Sequence, residues 1–212
     1  MYDNVAELWH ALGDVPLERI VMNPLPGTAT EQDLLTLVER DKRLVELIDG
    51  TLVEKPVGSL ESAIAGWLIT YLNVFIGPRK LGVVFGEAAM MRIVSSRVRL
   101  PDVSFFSRER LATWGGKPIL NVAPDLAVEV ISEGNTKAEM RQKMKEYFDS
   151  GTRLVWLVYP KTRTIEVYEQ LTEQPARTLG HTDTLDGGSV LPGFAVPVAD
   201  VFQVQPLPTI RK

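Results

Sequence analysis

In this chain of 212 residues, two carboxylates and one lysine have the types and spacing of residues that could bind a cation or catalyse a reaction. Glu129 lies inside the apolar run Leu126–Ile131, where an unpaired charge is costly. Asp102 follows Pro101 at the start of another strand-like run, 27 residues earlier. Adjacent strands can therefore bring the two acids together. Because two such carboxylates repel each other unless a proton or a cation lies between them, the pair predicts a cation site, for which Mg²⁺ is suitable.

The helix expected over 136–149 supplies the lysine. Its apolar residues recur at helical spacing and form one inward stripe: Met140, Met144, Tyr147 and Phe148. Lys143 borders that stripe and can turn toward the carboxylates, whereas Lys145 points away into solvent. Two structural alternatives stay open for Lys143. It either extends to the surface along its aliphatic stem or pairs with Glu139 four residues earlier.

An aspartate, a glutamate and a lysine together are the parts of a metal-dependent phosphodiesterase. The lysine usually stands two residues after the second acid, but that position holds Ile131 here. The following helix would then supply the ammonium, which stabilises developing negative charge and orients the attacking water. On pattern alone an ordinary α/β domain remains open, because Pro-Asp is a common turn dipeptide and a strand glutamate can pair with an arginine.

The elements that position these residues follow from hydrophobic periodicity and turn signals. Thr30 to Asp33 resembles a capping box that opens a helix, and Asp49-Gly50 between apolar runs predicts a hairpin within 43–54. Gly77-Pro78 is expected to stop the helix 59–75. The other expected elements are two strands within 82–106, a central strand at 126–131, the helix at 136–149, and strands at 154–159 and 164–168.

Composition excludes several classes of protein. The chain is 45% hydrophobic and 24% charged, with a net charge of −4, so a nucleic-acid contact would need a local basic patch. Five basic residues are candidates for phosphate contacts, and the alternative for each is a solvated surface charge: Arg92, Arg97, Arg99, Lys137 and Arg141.

Cysteine is absent and only two histidines occur, which disfavours thiolate and histidine metal sites. We expect no signal peptide, no membrane span and a cytoplasmic location.

These residues carry a resemblance to a known family. The chain resembles the Uma-two family of proposed restriction endonucleases, a branch of the PD-(D/E)XK nuclease superfamily. The matching stretches cover about residues 26–202 and run in order: PGTATEQDLL, LVELIDGTLVEKPVG, RLPDVSFFSRERL, PDLAVEVISEGNT, EMRQKMKEYFDSGTRLVWLVYP and LPGF.

The resemblance implies an α/β (α+β mixed sheet) restriction-endonuclease-like core, with a central mixed β-sheet flanked by helices and an N-terminal helix and hairpin extension. It implies an N-terminal extension over 1–27, a nuclease domain over 28–204 and a tail over 205–212. Asp102 and Glu129 match the family's metal-binding acids, and Lys143 matches its relocated lysine. Glu61 matches a position near the family's site, or is a helix N-terminal acid, and Glu46 matches the hairpin motif, where a structural role is the alternative.

The implied activity is hydrolysis of DNA by a Mg²⁺- or Mn²⁺-dependent endonuclease. A main-chain carbonyl near Val130 or Ile131 would complete the protein's ligands. The chain departs from the family at Ser132-Glu133-Gly134 and at Tyr159-Pro160, and Glu133 adds negative charge near the site. Two rivals stay open: a catalytically inactive nuclease-like fold acting as a DNA-binding or protein-interaction module, and a metal-dependent phosphatase. A homodimer would suit double-strand cleavage by symmetry.

Overall fold

The computed structural model describes residues 2–203, which contain six α-helices, a short 3-10 helix at Leu17–Arg19 and thirteen strands. The expected tail at 205–212, with residue 204, lies outside the described residues. The helices are α1 (Val5–Ala11), α2 (Glu31–Glu39), α3 (Ser59–Arg79), α4 (Arg108–Leu111), α5 (Lys137–Asp149) and α6 (Val198–Val201). The strands are β1 (Val45–Ile48), β2 (Thr51–Glu54), β3 (Gly82–Gly86), β4 (Met90–Val94), β5 (Arg97–Arg99), β6 (Val103–Ser107), β7 (Ile119–Leu120), β8 (Leu126–Val130), β9 (Leu154–Tyr159), β10 (Thr164–Tyr168), β11 (Arg177–Leu179), β12 (Thr184–Gly187) and β13 (Leu191–Pro197).

A six-stranded mixed sheet forms the centre of the fold, in the order β11-β10-β9-β8-β6-β3. Its single parallel pair is β8 with β9, and α5 makes the crossover between them. Side chains of α3 pack with Val128 and Trp156 on one face, whereas Met144 and Tyr147 of α5 pack with Ala127 and Val155 on the other. The predicted mixed sheet flanked by helices is therefore confirmed.

A five-stranded sheet, in the order β2-β1-β5-β4-β7, lies across α5 from the central sheet. The hairpin β1–β2 turns at Asp49-Gly50, and both residues have positive φ angles, 48° and 78°. That is the backbone conformation which a two-residue hairpin turn needs, and the predicted hairpin is confirmed. The predicted capping box is also present, because the Thr30 and Asp33 side chains exchange hydrogen bonds with each other's backbone amides.

Two predictions were wrong: the end of helix α3, and the number of strands within 82–106. Helix α3 continues past Phe75 and through Pro78 to Arg79. A proline in the last turn removes only one helical hydrogen bond, and Lys80 then closes the helix in a left-handed conformation. The segment 82–106 forms strands in four pieces rather than two, because the chain leaves the central sheet after β3, builds β4 and β5 in the other sheet, and returns in β6.

Helix α3 is the element to compare with the expectation of no membrane span. Within the described residues it is the one helix long and apolar enough to cross a bilayer, judged by length and composition alone. Its side chains Ile64, Leu68 and Leu72 are buried against the central sheet. The length and apolar character of α3 thus serve the core of this fold.

Both ends of the described chain pack onto this framework. Leu12 and Val15 are buried against Ile48 and Val53 of the hairpin. Near the other end, Phe194 stacks on Trp156, with ring centroids 6.0 Å apart. Phe194 therefore belongs to the core.

Candidate active site

The register of β6 and β8 brings the two predicted acids together. Val103 pairs with Val128 in an antiparallel ladder, so the preceding residue Asp102 lies opposite Glu129. Val128 and Val130 point toward α3, and because side chains alternate along a strand, Glu129 points toward α5. Directly opposite residues share a face, so Asp102 points the same way. Both acids are buried.

Lys143 reaches Glu129 from α5, as the sequence predicted. Its Nζ lies 3.2 Å from both carboxylate oxygens of Glu129 and 2.9 Å from Oε1 of Glu46. The Tyr147 hydroxyl donates a further hydrogen bond of 2.6 Å to Glu129. Glu139 does not pair with Lys143, since it binds Arg19 of the N-terminal segment at 2.7 and 2.9 Å. Neither structural alternative for Lys143 is therefore realised.

Asp102 has a partner that sequence reasoning missed. The ammonium of Lys55 lies 2.6 Å from Oδ1 of Asp102 and donates a hydrogen bond of 2.7 Å to the Leu100 carbonyl. The second oxygen of Asp102 accepts a bond of 2.6 Å from the Val130 amide. Alternation along β2 places Lys55 on the same face as Val53, which pairs with Glu46. That alternation is the signal that could have identified Lys55.

Glu46 belongs to the same cluster and joins the two sheets. The pairing of Leu47 with Val98 brings Glu46 opposite Arg99, whose guanidinium is 2.8 Å away. Arg99 also binds Glu146 of α5 at 2.6 and 2.9 Å. Ion pairs connect five buried residues, and the pair Lys55–Asp102 lies beside them because Asp102 is opposite Glu129. We call these seven residues the buried charge network: Glu46, Lys55, Arg99, Asp102, Glu129, Lys143 and Glu146. The network includes four of the predicted site residues, Asp102, Glu129, Lys143 and Glu46, but not Glu61.

The network shifts the pKa values of its members in opposite directions. Burial opposes ionisation of Glu46, but Lys143, Arg99 and the Leu100 amide together lower its pKa to about 2. Burial raises the pKa of Glu129, and the carboxylates of Asp102 and Glu46 add to that effect against the two lysines. Burial also opposes the charge on Lys143, yet Glu129 and Glu46 raise its pKa overall. Lys143 is therefore a permanent cation held between two carboxylates.

The low pKa of Glu46 makes part of the folding stability depend on pH. The folded protein binds the proton of Glu46 more weakly than the unfolded chain, whose pKa is near 4.5. This contribution, about 3 kcal/mol, is present above pH 4.5 and declines as the pH falls toward 2. We expect Glu46→Gln to lower the free energy of unfolding at neutral pH, and the gap from wild type to narrow below pH 4.5.

Urea unfolding at about pH 7, 4.5 and 3.5 measures that gap. Glu54→Gln is the matched control, because Glu54 lies on the same hairpin but pairs with Arg43 where both side chains are about 40% exposed. Its effect should stay below about 1 kcal/mol. A Glu46→Gln gap that keeps its full size down to the lowest pH would contradict the assignment.

Glu61 lies in the first turn of α3, apart from the acid pair. It lines a cleft of about 720 Å³, and the described residues show no hydrogen bond or ion pair from Glu61 to Asp102 or Glu129. The cleft walls also include residues that directly follow Lys55 and Val130: Pro56, Val57, Gly58, Ile131, Ser132, Glu133, Gly134 and Asn135. The lining thus begins one residue after Lys55 and two residues after Glu129 in the chain, and Glu61 is at the cleft wall.

The cations considered for phosphate contacts divide into internal and external groups. Arg99 is buried within the network, and Arg97 pairs with Asp49 and Glu146, so both are held by carboxylates. Arg92 binds Glu31 at 2.6 Å. Lys137 and Arg141 are exposed on α5, and Arg141 lies 3.9 Å from a carboxylate oxygen of the exposed Glu173. A phosphate contact for Arg99 would require opening the core.

The chemistry of the acid pair fits a divalent metal ion. Within residues 2–203 there is no group of three or more histidine, cysteine, aspartate or glutamate side chains arranged to hold a metal. Asp102 and Glu129 offer two carboxylates, and Mg²⁺ is commonly bound by one or two carboxylates together with water and substrate phosphate. An ammonium already lies among oxygen atoms at Asp102, which indicates that this position accommodates a cation.

Comparison with known proteins agrees with this geometry. The sequence profile of Uma2, described as "Putative restriction endonuclease", matches residues 31–199. The chain belongs to the Uma2 family. The match contains the acid pair, both lysines and Glu46, and membership in Uma2 supports a nuclease.

A solved structure shares the fold. It is a crystal structure described as a "putative nuclease belonging to DUF820" from Anabaena variabilis, with a TM-score of 0.65 and 21% sequence identity. The similarity covers 74% of the Uma2 chain described here and 89% of the other chain. No match was found among curated proteins.

Proposed function

We propose that this Uma2 protein is a Mg²⁺- or Mn²⁺-dependent endonuclease that hydrolyses DNA phosphodiester bonds. One observation carries the proposal: Asp102 and Glu129 lie opposite each other on neighbouring strands, beside two buried ammonium groups. The chain segments that follow Lys55 and Glu129 line a cleft. Such a pair provides the hard oxygen ligands that Mg²⁺ prefers. Membership in Uma2 supports the same class of reaction.

Asp102 and Glu129 are the residues that would hold the metal ion. A bound divalent cation would activate water and neutralise charge on the phosphate and on the leaving oxygen. The protein holds each acid in a fixed orientation through its own contacts. The Val130 amide fixes Asp102, while Lys143 and the Tyr147 hydroxyl fix Glu129. This preorganisation reduces the rearrangement needed when substrate binds.

Lys143 acts in this proposal mainly by positioning Glu129. Its ammonium contacts both oxygens of Glu129 and one of Glu46, so its hydrogen bonds are directed at carboxylates. The positive charge still lies beside the acids, where it offsets the negative charge that the substrate phosphate adds. A lysine at position 131, where this chain has isoleucine, is therefore not needed.

The proposal is tested by DNA cleavage with controlled metal content. We expect the purified protein to nick or linearise plasmid DNA in Mg²⁺ or Mn²⁺. Cleavage should stop on chelation with EDTA and return when the metal is restored in excess. The variant Glu129→Gln, purified in parallel, is the control for contaminating nucleases. It should have no cleavage activity, and circular dichroism should show that it is folded. Cleavage that persists in EDTA, or equal cleavage by Glu129→Gln, would reject the proposed mechanism.

One observation favours the alternative of an inactive module. Each site carboxylate is already bound to cationic partners within the protein, and Glu61 and Glu133 add negative charge at the cleft wall. A protein that binds DNA in a gel-shift assay but cleaves none of the DNA tested in either metal would support this alternative.

A further inference from the structure

Lys55 is a buried cation that the proposed reaction leaves without a role. It follows β2, and its ammonium lies between Oδ1 of Asp102 and the carbonyl oxygen of Leu100, at 2.6 and 2.7 Å. The side chain is only 4% exposed. Burying an ammonium is costly unless oxygen atoms surround it, as the two oxygens do here.

The charges at the centre of the network explain why an ammonium is needed there. Three carboxylates are buried here, those of Glu46, Asp102 and Glu129, and the charges of Asp102 and Glu46 add to the rise in the pKa of Glu129. Lys143 is bound to Glu46 and Glu129. Lys55 is therefore the cation that compensates Asp102 in the protein without metal.

We propose that the Lys55 ammonium occupies the place of a divalent cation at Asp102 and competes with that cation for the carboxylate. The inference rests on the proposed function, because it takes Asp102 to be a metal ligand. Asp102 Oδ2 is bound to the Val130 amide, so a metal ion approaches Asp102 through Oδ1, where Lys55 lies. Lys55 holds the site in order when it is empty and lowers its affinity for metal.

Calorimetric titration with Mn²⁺ alone tests the competition. We expect Lys55→Met to bind Mn²⁺ at least about tenfold more tightly than wild type, because a nearby positive charge that repels the ion is removed. This increase in Mn²⁺ affinity should disappear in the double variant Lys55→Met/Asp102→Asn. Lys145→Met is the matched control, since Lys145 is 63% exposed on α5 and pairs with Asp149, and its affinity should equal that of wild type.

A second variant keeps the inference testable if Lys55→Met does not fold. Lys55→Gln removes the charge but keeps an N–H donor for Leu100, and it should show the same increase in affinity. Mn²⁺ should also raise the melting temperature of both Lys55 variants more than that of wild type. Equal or weaker Mn²⁺ binding by the folded Lys55 variants would overturn the inference, as would the absence of binding by every protein.

The inference and the proposed nuclease activity fail in different ways. Metal-dependent DNA cleavage by wild type, with unchanged Mn²⁺ affinity in the Lys55 variants, would reject only the role of Lys55. Tighter Mn²⁺ binding by the Lys55 variants, in a protein that cleaves no DNA, would keep the cation site and reject the activity.

Discussion

Asp102→Asn is expected to reduce metal-dependent DNA cleavage by about a thousand-fold. A metal ion supplies several kcal/mol of charge stabilisation in the transition state, and each 1.4 kcal/mol corresponds to about tenfold in rate. The asparagine has nearly the same shape and can still accept the hydrogen bond from the Val130 amide, so the local backbone should remain in place. Initial rates of plasmid cleavage in saturating Mg²⁺ measure the effect.

Asp125→Asn is the matched control for this prediction. Asp125 also follows a proline and is also buried, but it lies before the start of β8, at the end opposite to the acid pair. Its carboxylate binds Arg110 and Arg153 at 2.9 and 2.7 Å. We expect this variant, when folded, to cleave within about threefold of wild type, since no group near the reacting phosphate changes. Equal losses in the two variants would mean that Asp102 acts through stability alone.

Lys143→Met is expected to lower the free energy of unfolding by about 3–5 kcal/mol. Removing the ammonium leaves Glu46 and Glu129 buried with fewer positive partners, and the side chain of Lys143 is only 2% exposed. The three carboxylates at the centre would then be faced by Lys55 and Arg99 alone. Chemical denaturation in urea at neutral pH measures this loss.

Lys145→Met controls for the loss of a lysine on the same helix. Lys145 lies two residues further along α5, is 63% exposed, and makes an ion pair with Asp149 at i,i+4 spacing. Its replacement should change the stability by about 0.5 kcal/mol or less. If Lys143→Met and Lys145→Met unfolded at the same urea concentration, the buried charge network would not have the energetic role that its geometry indicates.

The difference between these two lysines could be predicted from the sequence. Lys143 borders the apolar stripe of α5 and Lys145 does not, and helical periodicity alone makes that distinction. In the same way, a glutamate inside a five-residue buried strand indicates a site with a partner. The hairpin at Asp49-Gly50 and the capping boxes of α2 and α5 are local features that the sequence encodes within a few residues.

Sequence reasoning was less accurate where the chain moves between the two sheets. The segment 82–106 contains strands of both sheets, and no local pattern states to which sheet a short strand belongs. The end of α3 was misplaced because proline was treated as a helix breaker, although near a helix end it costs little more than one hydrogen bond. The packing of distant elements decided the sheet to which each strand belongs, whereas the end of α3 was a local feature whose cost was overestimated.

The sequence by itself determined which faces of the strands and helices carry charge. It placed Glu129 and Lys143 on inward faces and related Asp102 to a neighbouring strand. Only the tertiary structure decided which of these faces meet: it brought Lys55 to Asp102 and Glu46 to Lys143. The physical reason is that periodicity fixes the direction of a side chain relative to its own element, whereas the partner of a buried charge depends on how two sheets pack around α5.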